Sequence, residues 1–432
     1  IASMTKSFTA AAVLCLRDDG LLTLDTSVGD LVPSLRRLQS PTEDAAPLTI
    51  RDLLGMSSGL VTDDPWADRH LDLTDDEFDR IIEDGPVFAG PTGDGFEYSN
   101  FGFAVLGRVV RDVAGVRVRD VVDERFLEPL GLLDTTWDRP GHIDHMPPVR
   151  ADGTTPERPP LDDGAIAPMG GLWSTTTDLV RWATWLADAF PARDGADDGP
   201  LRRSSRREMQ QPLRYTGRRE VRGVDVAVSY GFGLHVIDDP EHGVVIGHSG
   251  GLPGYGSNMR WTRDGGVVLV ALSNRTYAPM AELNARLHDC AVAEFHLGPT
   301  DGHAVAEHDE VLAVARRLRS VLERWSAGGD VADCELDEVF ADNVAPDESY
   351  TERSEPLRRS GPFTFTAAST SGGASATLTG SAADGSTATV DFTVAPTRPL
   401  RIQRLRLVTE GATCRRSDDA DAESGSARSL DS

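Results

Sequence analysis

The strongest constraint on the fold is a run near the start of the chain, SMTKSFTAAAVLCL, which spans residues 3–16. The run is rich in Ala, Leu and Met and is apolar on most sides, a pattern that predicts a buried helix ended by a stop at Gly20. Ser3 stands at the predicted N-terminus, where free N–H groups and the helix dipole favour developing negative charge. Lys6 follows three residues later and projects from the same face. A serine and a lysine therefore meet on a helix that the core holds in place.

Lysine usage singles out this pair. The chain of 432 residues contains 43 lysine and arginine residues, and Lys6 is the one lysine among them. Arginine keeps its proton, because its pKa stays above about 12 in proteins. A lysine retained against this background suggests a need for an amine that can lose its proton. We interpret Ser3 as a nucleophile activated by Lys6, in preference to a plain helix cap.

Composition excludes some partners. The formal net charge is −26 and the sequence pI is about 4.7, so nucleic acid and anionic lipid are not expected partners. No apolar run reaches the ~18 residues of a membrane span. A dense acidic stretch is interpreted as a solvated face, because it lacks the ordered spacing of a calcium loop. Its members are Asp63, Asp64, Asp68, Asp72, Asp75, Asp76, Glu77 and Asp79.

The chain is expected to divide into two domains. We assign residues 1–297 to a catalytic domain, 298–309 to a linker, 310–410 to a small α+β accessory domain and 411–432 to a disordered polar tail.

Periodicity predicts the main elements of the first domain. Helices are expected at 3–16, 49–54, 101–113, 178–189 and 280–295, and a loop at 139–168. Short strands are expected at 230–237, 243–247, 257–261 and 266–273, joined by short turns into an antiparallel sheet. The last of these is a continuous apolar run, which is typical of a buried central strand.

Two further motifs follow the Ser3-x-x-Lys6 pair in order. Tyr98-Ser99-Asn100 precedes a predicted helix, and His248-Ser249-Gly250-Gly251 ends a predicted strand. With S-x-x-K, Y-x-N and H-x-G in this order, the chain resembles the serine hydrolases related to class C β-lactamases and penicillin-binding proteins, in their esterase or D-aminopeptidase-like branch. The stretches 48–54, 57–60, 170–174 and 178–179 add to the resemblance, which covers about residues 1–297.

The resemblance implies a fold. The first domain would be α/β (α+β), of the β-lactamase/transpeptidase-like fold, with an antiparallel central sheet and a helical subdomain. The small C-terminal α+β domain would be an addition to it.

The resemblance also implies roles for the motif residues. Ser3 would attack a carbonyl and form an acyl-enzyme, with Lys6 and Tyr98 sharing the proton relay. Asn100 would orient Lys6 and the substrate. The substrate and oxyanion residues on the strand would be His248, Gly250 and Gly251, with the backbone N–H groups of Ser3 and Gly251 forming the oxyanion hole. No metal or organic cofactor is expected, since the histidines do not cluster in sequence and His142-x-x-His145 lies in a loop.

His248 bears on the substrate. A β-lactamase of this class usually has lysine in the third motif, which supplies a permanent charge for the substrate carboxylate. Imidazole is mostly neutral at pH 7. We therefore expect a small-molecule or peptide substrate that is an ester, an amide or a D-residue peptide, with β-lactam hydrolysis less favoured.

A competing motif overlaps the third one. Gly247-His248-Ser249-Gly250-Gly251 also fits G-x-S-x-G, the nucleophile elbow of α/β-hydrolases. That elbow requires a strand, a sharp turn and a helix, whereas Leu252-Pro253-Gly254 is followed by another predicted strand. Ser3 is preferred over Ser249 for this reason.

The resemblance leaves some questions open. Family members carry a helix and sheet strands upstream of S-x-x-K, whereas two residues precede Ser3 here, so we expect an N-terminally truncated sequence with an unpaired strand edge. The alternative function is a β-lactamase-like ligand sensor or assembly protein that acylates slowly or not at all. Oligomeric state and the choice between cytoplasm and export stay open.

Overall fold

The computed structural model describes residues 1–410 except 39–40, 142–144, 157–161, 192, 194, 198, 264–265 and 296–308. The chain divides into two compact units, residues 1–300 and 301–432. Most of the predicted linker and the whole predicted tail lie outside the described residues, so the domain bounds stay a prediction. In the described part of the chain, no helix is both long enough and apolar enough to cross a membrane.

The first unit holds ten α-helices among its described residues: α1 (Thr5–Asp18), α2 (Val28–Leu31), α3 (Ile50–Leu54), α4 (Asp64–Ala67), α5 (Asp75–Asp84), α6 (Asn100–Ala114), α7 (Val118–Val122), α8 (Thr176–Ala187), α9 (Arg203–Met209) and α10 (Met280–Phe295). Its six described strands are β1 (Arg214–Val221), β2 (Val224–Tyr230), β3 (His235–Asp239), β4 (Gly243–Leu252), β5 (Tyr255–Thr262) and β6 (Val268–Ser273). The strands pair in chain order as an antiparallel sheet.

The core of this unit forms around α1. Every residue from Thr5 to Leu16 is buried, as an apolar helix requires. The helix packs against α6, and α8 packs on β5 and β6. Local capping sets the helix starts, since the Ser99 and Thr175 hydroxyls accept hydrogen bonds from backbone N–H groups at the starts of α6 and α8. These elements confirm the fold expected for the first domain.

The sheet has two distinct faces. Met259 and Trp261 are buried in the core that contains α1 and α8. Asn258 points the other way, because side chains alternate along a strand, and it accepts a hydrogen bond from Asn284 on α10. The helix α10 therefore covers the opposite face of β5.

Two strand predictions were wrong. The stretch 230–237 is not one strand, since β2 ends at Tyr230 and β3 begins at His235. Gly233 lies between them with φ +68°, and a Cβ there would lie 2.6 Å from the Lys6 carbonyl oxygen, so the chain turns tightly against α1. The strand β1 was not predicted because its arginine-rich sequence hides the alternation.

The apolar run at 266–273 was also placed wrongly. In the described part of the chain β6 pairs with β5 alone and lies at an edge of the sheet. Its residues are all half-buried, because α8 and α10 pack against it. The sequence of β6 is apolar because helices, and not a second neighbouring strand, cover it.

The second unit is a helical layer and a sheet. Its helices are α11 (Asp309–Ser326), α12 (Asp333–Val339), α13 (Val344–Asp347) and α14 (Tyr350–Ser360). Its strands are β7 (Phe363–Phe365), β8 (Ser369–Gly372), β9 (Ser375–Ala382), β10 (Thr387–Val394) and β11 (Ile402–Glu410). The strand order is β11-β10-β9-β7, with β8 also on β9, and α11 packs its apolar face on this sheet.

Candidate active site

Ser3 lies in a single 3₁₀ turn, Ala2–Met4, that leads into α1. Hydrogen bonds hold the turn on two sides: the Ile1 nitrogen donates to the Leu172 carbonyl at 2.7 Å, and the Ser257 hydroxyl donates to the Ile1 carbonyl at 2.7 Å. Ala2 has φ 51°, in the left-handed region that non-glycine residues seldom adopt. Backbone strain of this kind persists where surrounding structure enforces it, often at functional sites.

The Lys6 amine is the centre of the site. Its Nζ donates to Ser3 Oγ at 2.9 Å, to Asn100 Oδ1 at 2.7 Å and to the Met169 carbonyl oxygen at 2.9 Å. The side chain is 0% exposed and Ser3 is 9% exposed. The predicted helix start at Ser3 was therefore two residues early: the 3₁₀ turn supplies Ser3, α1 supplies Lys6, and the start of α6 supplies Asn100.

Burial changes the chemistry of this amine. Desolvation lowers the pKa of Lys6 to about 7, although Asp64, Asp68 and Asp63 each raise it. The neutral form of the amine is therefore accessible near pH 7. A neutral amine at 2.9 Å from a serine hydroxyl can accept its proton.

Tyr98 lies next to this pair. Its ring centroid is 5.0 Å from Lys6 Nζ. Burial raises the Tyr98 pKa well above 10, while its hydrogen bond with the Ser3 hydroxyl lowers it. The phenol is therefore neutral in the resting site and can donate or accept a hydrogen bond beside Ser3.

Asn100 is held by a carboxylate pair that the sequence did not reveal. Its Nδ2 donates to Asp64 Oδ1 at 2.6 Å, and its backbone nitrogen donates to Asp63 Oδ1 at 2.7 Å. The second oxygen of Asp63 accepts from the Phe101 nitrogen at 2.9 Å. These bonds fix the amide so that its oxygen faces Lys6.

The interpretation of the acidic stretch as a solvated face was therefore wrong for three of its members. Asp68 is buried and accepts a hydrogen bond from the Tyr277 hydroxyl at 2.9 Å. Desolvation raises the Asp68 pKa to about 7 and also raises that of Asp63. Asp64 is half-buried against Asn100. These carboxylates act on the electrostatics of Lys6, while Asp72, Asp75, Asp76 and Glu77 are exposed and Asp79 is half-buried.

His248 contacts the site through aromatic rings. It is buried on β4, with Nε2 3.0 Å from the Tyr230 hydroxyl and a ring centroid 6.1 Å from that of Tyr98. Desolvation, with His235 and Lys6 nearby, holds the pKa of His248 well below its usual range. The ring is neutral, and Tyr230 and His235 are contacts that the sequence did not predict.

Gly250 brings β4 close to the turn that carries Ser3, and Gly251 lies against the Tyr277 ring. A Cβ at Gly250 would lie 2.4 Å from the Ile1 carbonyl oxygen, and one at Gly251 would lie 2.7 Å from the Tyr277 ring. Both distances are too short for a real side chain, so this approach requires glycine. The structure thus gathers all seven predicted site residues around one turn.

Ser249 lies on the other face of the sheet. It pairs with Asn258, whose Nδ2 donates to Ser249 Oγ at 3.0 Å, and Asn258 faces α10. The strand β4 continues to Leu252 and is followed by β5, so the strand-turn-helix context of a nucleophile elbow is absent from this described segment.

A cavity of about 670 Å³ lies beside the turn. Its lining includes Ile1, Leu172, Trp173 and Tyr255, with residues of the loop at 139–168 on another side. The Trp173 and Tyr255 rings meet edge to face at 5.5 Å. His145 from the predicted H-x-x-H pair packs on Trp173 at 5.3 Å, while His142 lies outside the described residues. The cavity can take an apolar group attached to the reacting carbonyl.

Comparisons with known proteins identify relatives of this chain. The sequence profile of a family described as Beta-lactamase matches residues 1–293. Penicillin-binding protein 4 of Amycolatopsis lactamdurans is 30% identical over 293 residues, which cover 63% of this chain and 71% of that protein. Penicillin-binding protein 4* of Bacillus subtilis (strain 168) is 26% identical over 295 residues, 64% of this chain. The chain spans 60% of the length of this second relative.

A solved structure shares the fold. The crystal structure of D-amino acid amidase from Ochrobactrum anthropi SV3 complexed with L-phenylalanine aligns with a TM-score of 0.55 at 22% identity. The alignment covers 68% of this chain and 84% of that chain.

Proposed function

Since the chain belongs to the beta-lactamase family, we propose that it is a serine hydrolase that acts through an acyl-enzyme on Ser3. The observation that carries the proposal is the buried Lys6 amine, 2.9 Å from Ser3 Oγ and with a pKa of about 7. The family comprises serine hydrolases and acyl-transferases, and this pair supplies their two essential functions, a nucleophile and a base.

The chemistry proceeds in two halves. Neutral Lys6 accepts the Ser3 proton as Oγ attacks the substrate carbonyl, and the oxyanion accepts hydrogen bonds from the Ser3 and Gly251 N–H groups. The C–N or C–O bond to the leaving group then breaks, and the leaving group takes a proton from Lys6 through Tyr98. In the second half water attacks the ester, the same base accepts its proton, and Ser3 regains its hydrogen as the acid departs.

The substrate class follows from the charge near β4. Neutral His248 offers no permanent cation for a substrate carboxylate, which disfavours β-lactams relative to uncharged esters, amides and D-residue peptides. The cavity lined by Trp173 and Tyr255 accommodates an apolar acyl group or side chain. Hydrolysis of such a substrate requires no cofactor in this scheme.

The first experiment is covalent labelling with a fluorophosphonate probe, followed by peptide mapping. We expect label on Ser3 and unchanged labelling in Ser249→Ala, the matched control. Label on Ser249 would support the elbow reading instead. A folded protein that takes no label would favour the sensor or assembly alternative. A panel of p-nitrophenyl esters, D- and L-residue anilides and nitrocefin then ranks the substrates, and fastest turnover of nitrocefin would contradict the proposed class.

The Asp64→Asn variant tests the charge at Lys6. Wild-type kcat/KM should rise with pH through a midpoint near the Lys6 pKa of about 7, because the neutral amine is the active form. Asparagine still accepts the Asn100 hydrogen bond but removes a negative charge that stabilises the ammonium. The Lys6 pKa then falls, and the acidic limb moves down by roughly one pH unit.

The control for this variant is Asp44→Asn, which makes the same charge change at an exposed position. Its pH profile should match the wild type. An acidic limb that stays in place or moves upward in Asp64→Asn would show that another group controls it.

A further inference from the structure

A second cluster of chemically active side chains lies away from Ser3. His242 stands in the turn between β3 and β4, and His288 and Asp289 are neighbours on α10. Both histidines are buried. Because α10 covers the face of the sheet opposite to the Ser3 site, this cluster is separate from the proposed catalytic residues. The histidines are scattered in sequence and were not expected to cluster, but the fold brings together two that are 46 positions apart.

The geometry of the cluster suits a metal ion. His242 Nδ1 lies 3.2 Å from His288 Nδ1 and 3.6 Å from Asp289 Oδ1. One ligand atom from each of the three residues lies within 4.8 Å of the others. In a tetrahedral zinc site with bonds of 2.0–2.1 Å, ligand atoms stand about 3.3–3.4 Å apart. The two separations measured from His242 Nδ1 are close to that value.

The short distance between the His242 and His288 rings is a second indication of a bound cation. Two Nδ1 atoms at 3.2 Å require a proton shared between them or a cation that both lone pairs face.

Neighbouring charges also fit a cation. Arg222 donates to Asp239, Glu241 and Asp289 at 2.6–2.8 Å. Three carboxylates thus share one guanidinium, and this bonded group keeps a net negative charge beside the imidazoles. Arg260 is a further cation near His288, and a bound ion would share Asp289 Oδ1 with Arg222. Asp239 Oδ2 lies 3.7 Å from His242 Nδ1, so it can support the ligands from outside.

We propose that His242, His288 and Asp289 bind a divalent transition-metal ion, Zn²⁺ foremost, with water in the fourth position. The ion joins the turn before β4 to α10. Since β4 also carries His248, Gly250 and Gly251, the site stabilises the strand that faces Ser3. Imidazole and carboxylate ligands favour Zn²⁺ over Ca²⁺ or Mg²⁺.

The test uses the full chain after chelator treatment and dialysis. Titration calorimetry with Zn²⁺ should give one site per chain, and a hundredfold excess over Kd should raise Tm by roughly 5 °C. Co²⁺ should produce the visible absorption of a tetrahedral nitrogen and oxygen site. His242→Gln and His288→Gln should each weaken binding about 100-fold or more, whereas His70→Gln should leave stoichiometry and affinity unchanged.

Other results would overturn the proposal. If the wild type binds no Zn²⁺, the metal site does not exist and the two imidazoles are linked by a shared proton. If the two glutamine variants bind Zn²⁺ as tightly as the wild type does, the ion is bound by surface carboxylates instead. The Co²⁺ spectrum of wild type decides the matter even where a variant fails to fold, because an all-oxygen octahedral site absorbs weakly.

Discussion

Ser3→Ala lowers kcat by a factor of about 10⁴ or more on any substrate that the protein hydrolyses. The variant removes the oxygen that forms the acyl bond and leaves the oxyanion donors in place, so a small residual rate from binding and polarisation is expected. Steady-state initial rates at saturating concentrations of the best ester in the substrate panel provide the value of kcat.

The variant should remain folded. Ser3 is one of three oxygen acceptors of the Lys6 amine, and the bonds to Asn100 Oδ1 and the Met169 carbonyl oxygen remain. Alanine also suits a helical turn. Thermal unfolding within a few degrees of wild type would therefore accompany the loss of activity, and would separate a chemical effect from a structural one.

Ser249→Ala is the matched control. It removes an exposed hydroxyl on the opposite face of β4, and its rate should remain near that of the wild type. A Ser3→Ala variant with near-normal turnover, or a Ser249→Ala variant without turnover, would remove Ser3 from the mechanism.

The part of the site that sequence predicted is the local part. Ser3 and Lys6 are three residues apart where a 3₁₀ turn runs directly into α1, and this local helical geometry sets them on one face. Tyr98 and Asn100 belong to a motif at a capped helix start, where Ser99 is the N-cap. Short-range rules govern all four of these positions, which is why a pattern in the sequence reveals them.

The electrostatics of the site depend on long-range contacts. Asp64 reaches Asn100 across 36 residues, and the Met169 carbonyl reaches Lys6 across 163. A backbone carbonyl has no sequence signature. A carboxylate in an acidic stretch resembles its exposed neighbours until the fold buries it, so the loss of solvent at Asp63 and Asp68 could not be foreseen.

The same limit applies to the histidines. His242 and His288 are isolated in sequence and lack the short spacing by which metal motifs are recognised. Pairing of β3 with β4 and packing of α10 on β5 bring them together. The position of β6 at a sheet edge has a similar origin, because helix cover and strand pairing produce the same apolar pattern.

Lys6→Arg should lower kcat by about 10³–10⁴, even though it keeps the positive charge. A guanidinium retains its proton in proteins and cannot serve as the base for Ser3. This substitution follows the preference of the rest of the chain, which uses arginine for positive charge at every other position. A large loss would explain why lysine persists at this position alone.

Lys6→Met is the companion variant, because arginine is larger than the buried space that Lys6 occupies. Methionine has a similar length and no charge, so it removes the base without adding volume. Both variants should lose fluorophosphonate labelling of Ser3, and their residual kcat/KM should lose the ionisation near pH 7 that Lys6 provides. A purely structural role for Lys6 predicts a lower rate with that ionisation intact. The pH profile of the residual activity therefore separates a lysine that moves a proton from one that only holds Asn100 and Met169 in place.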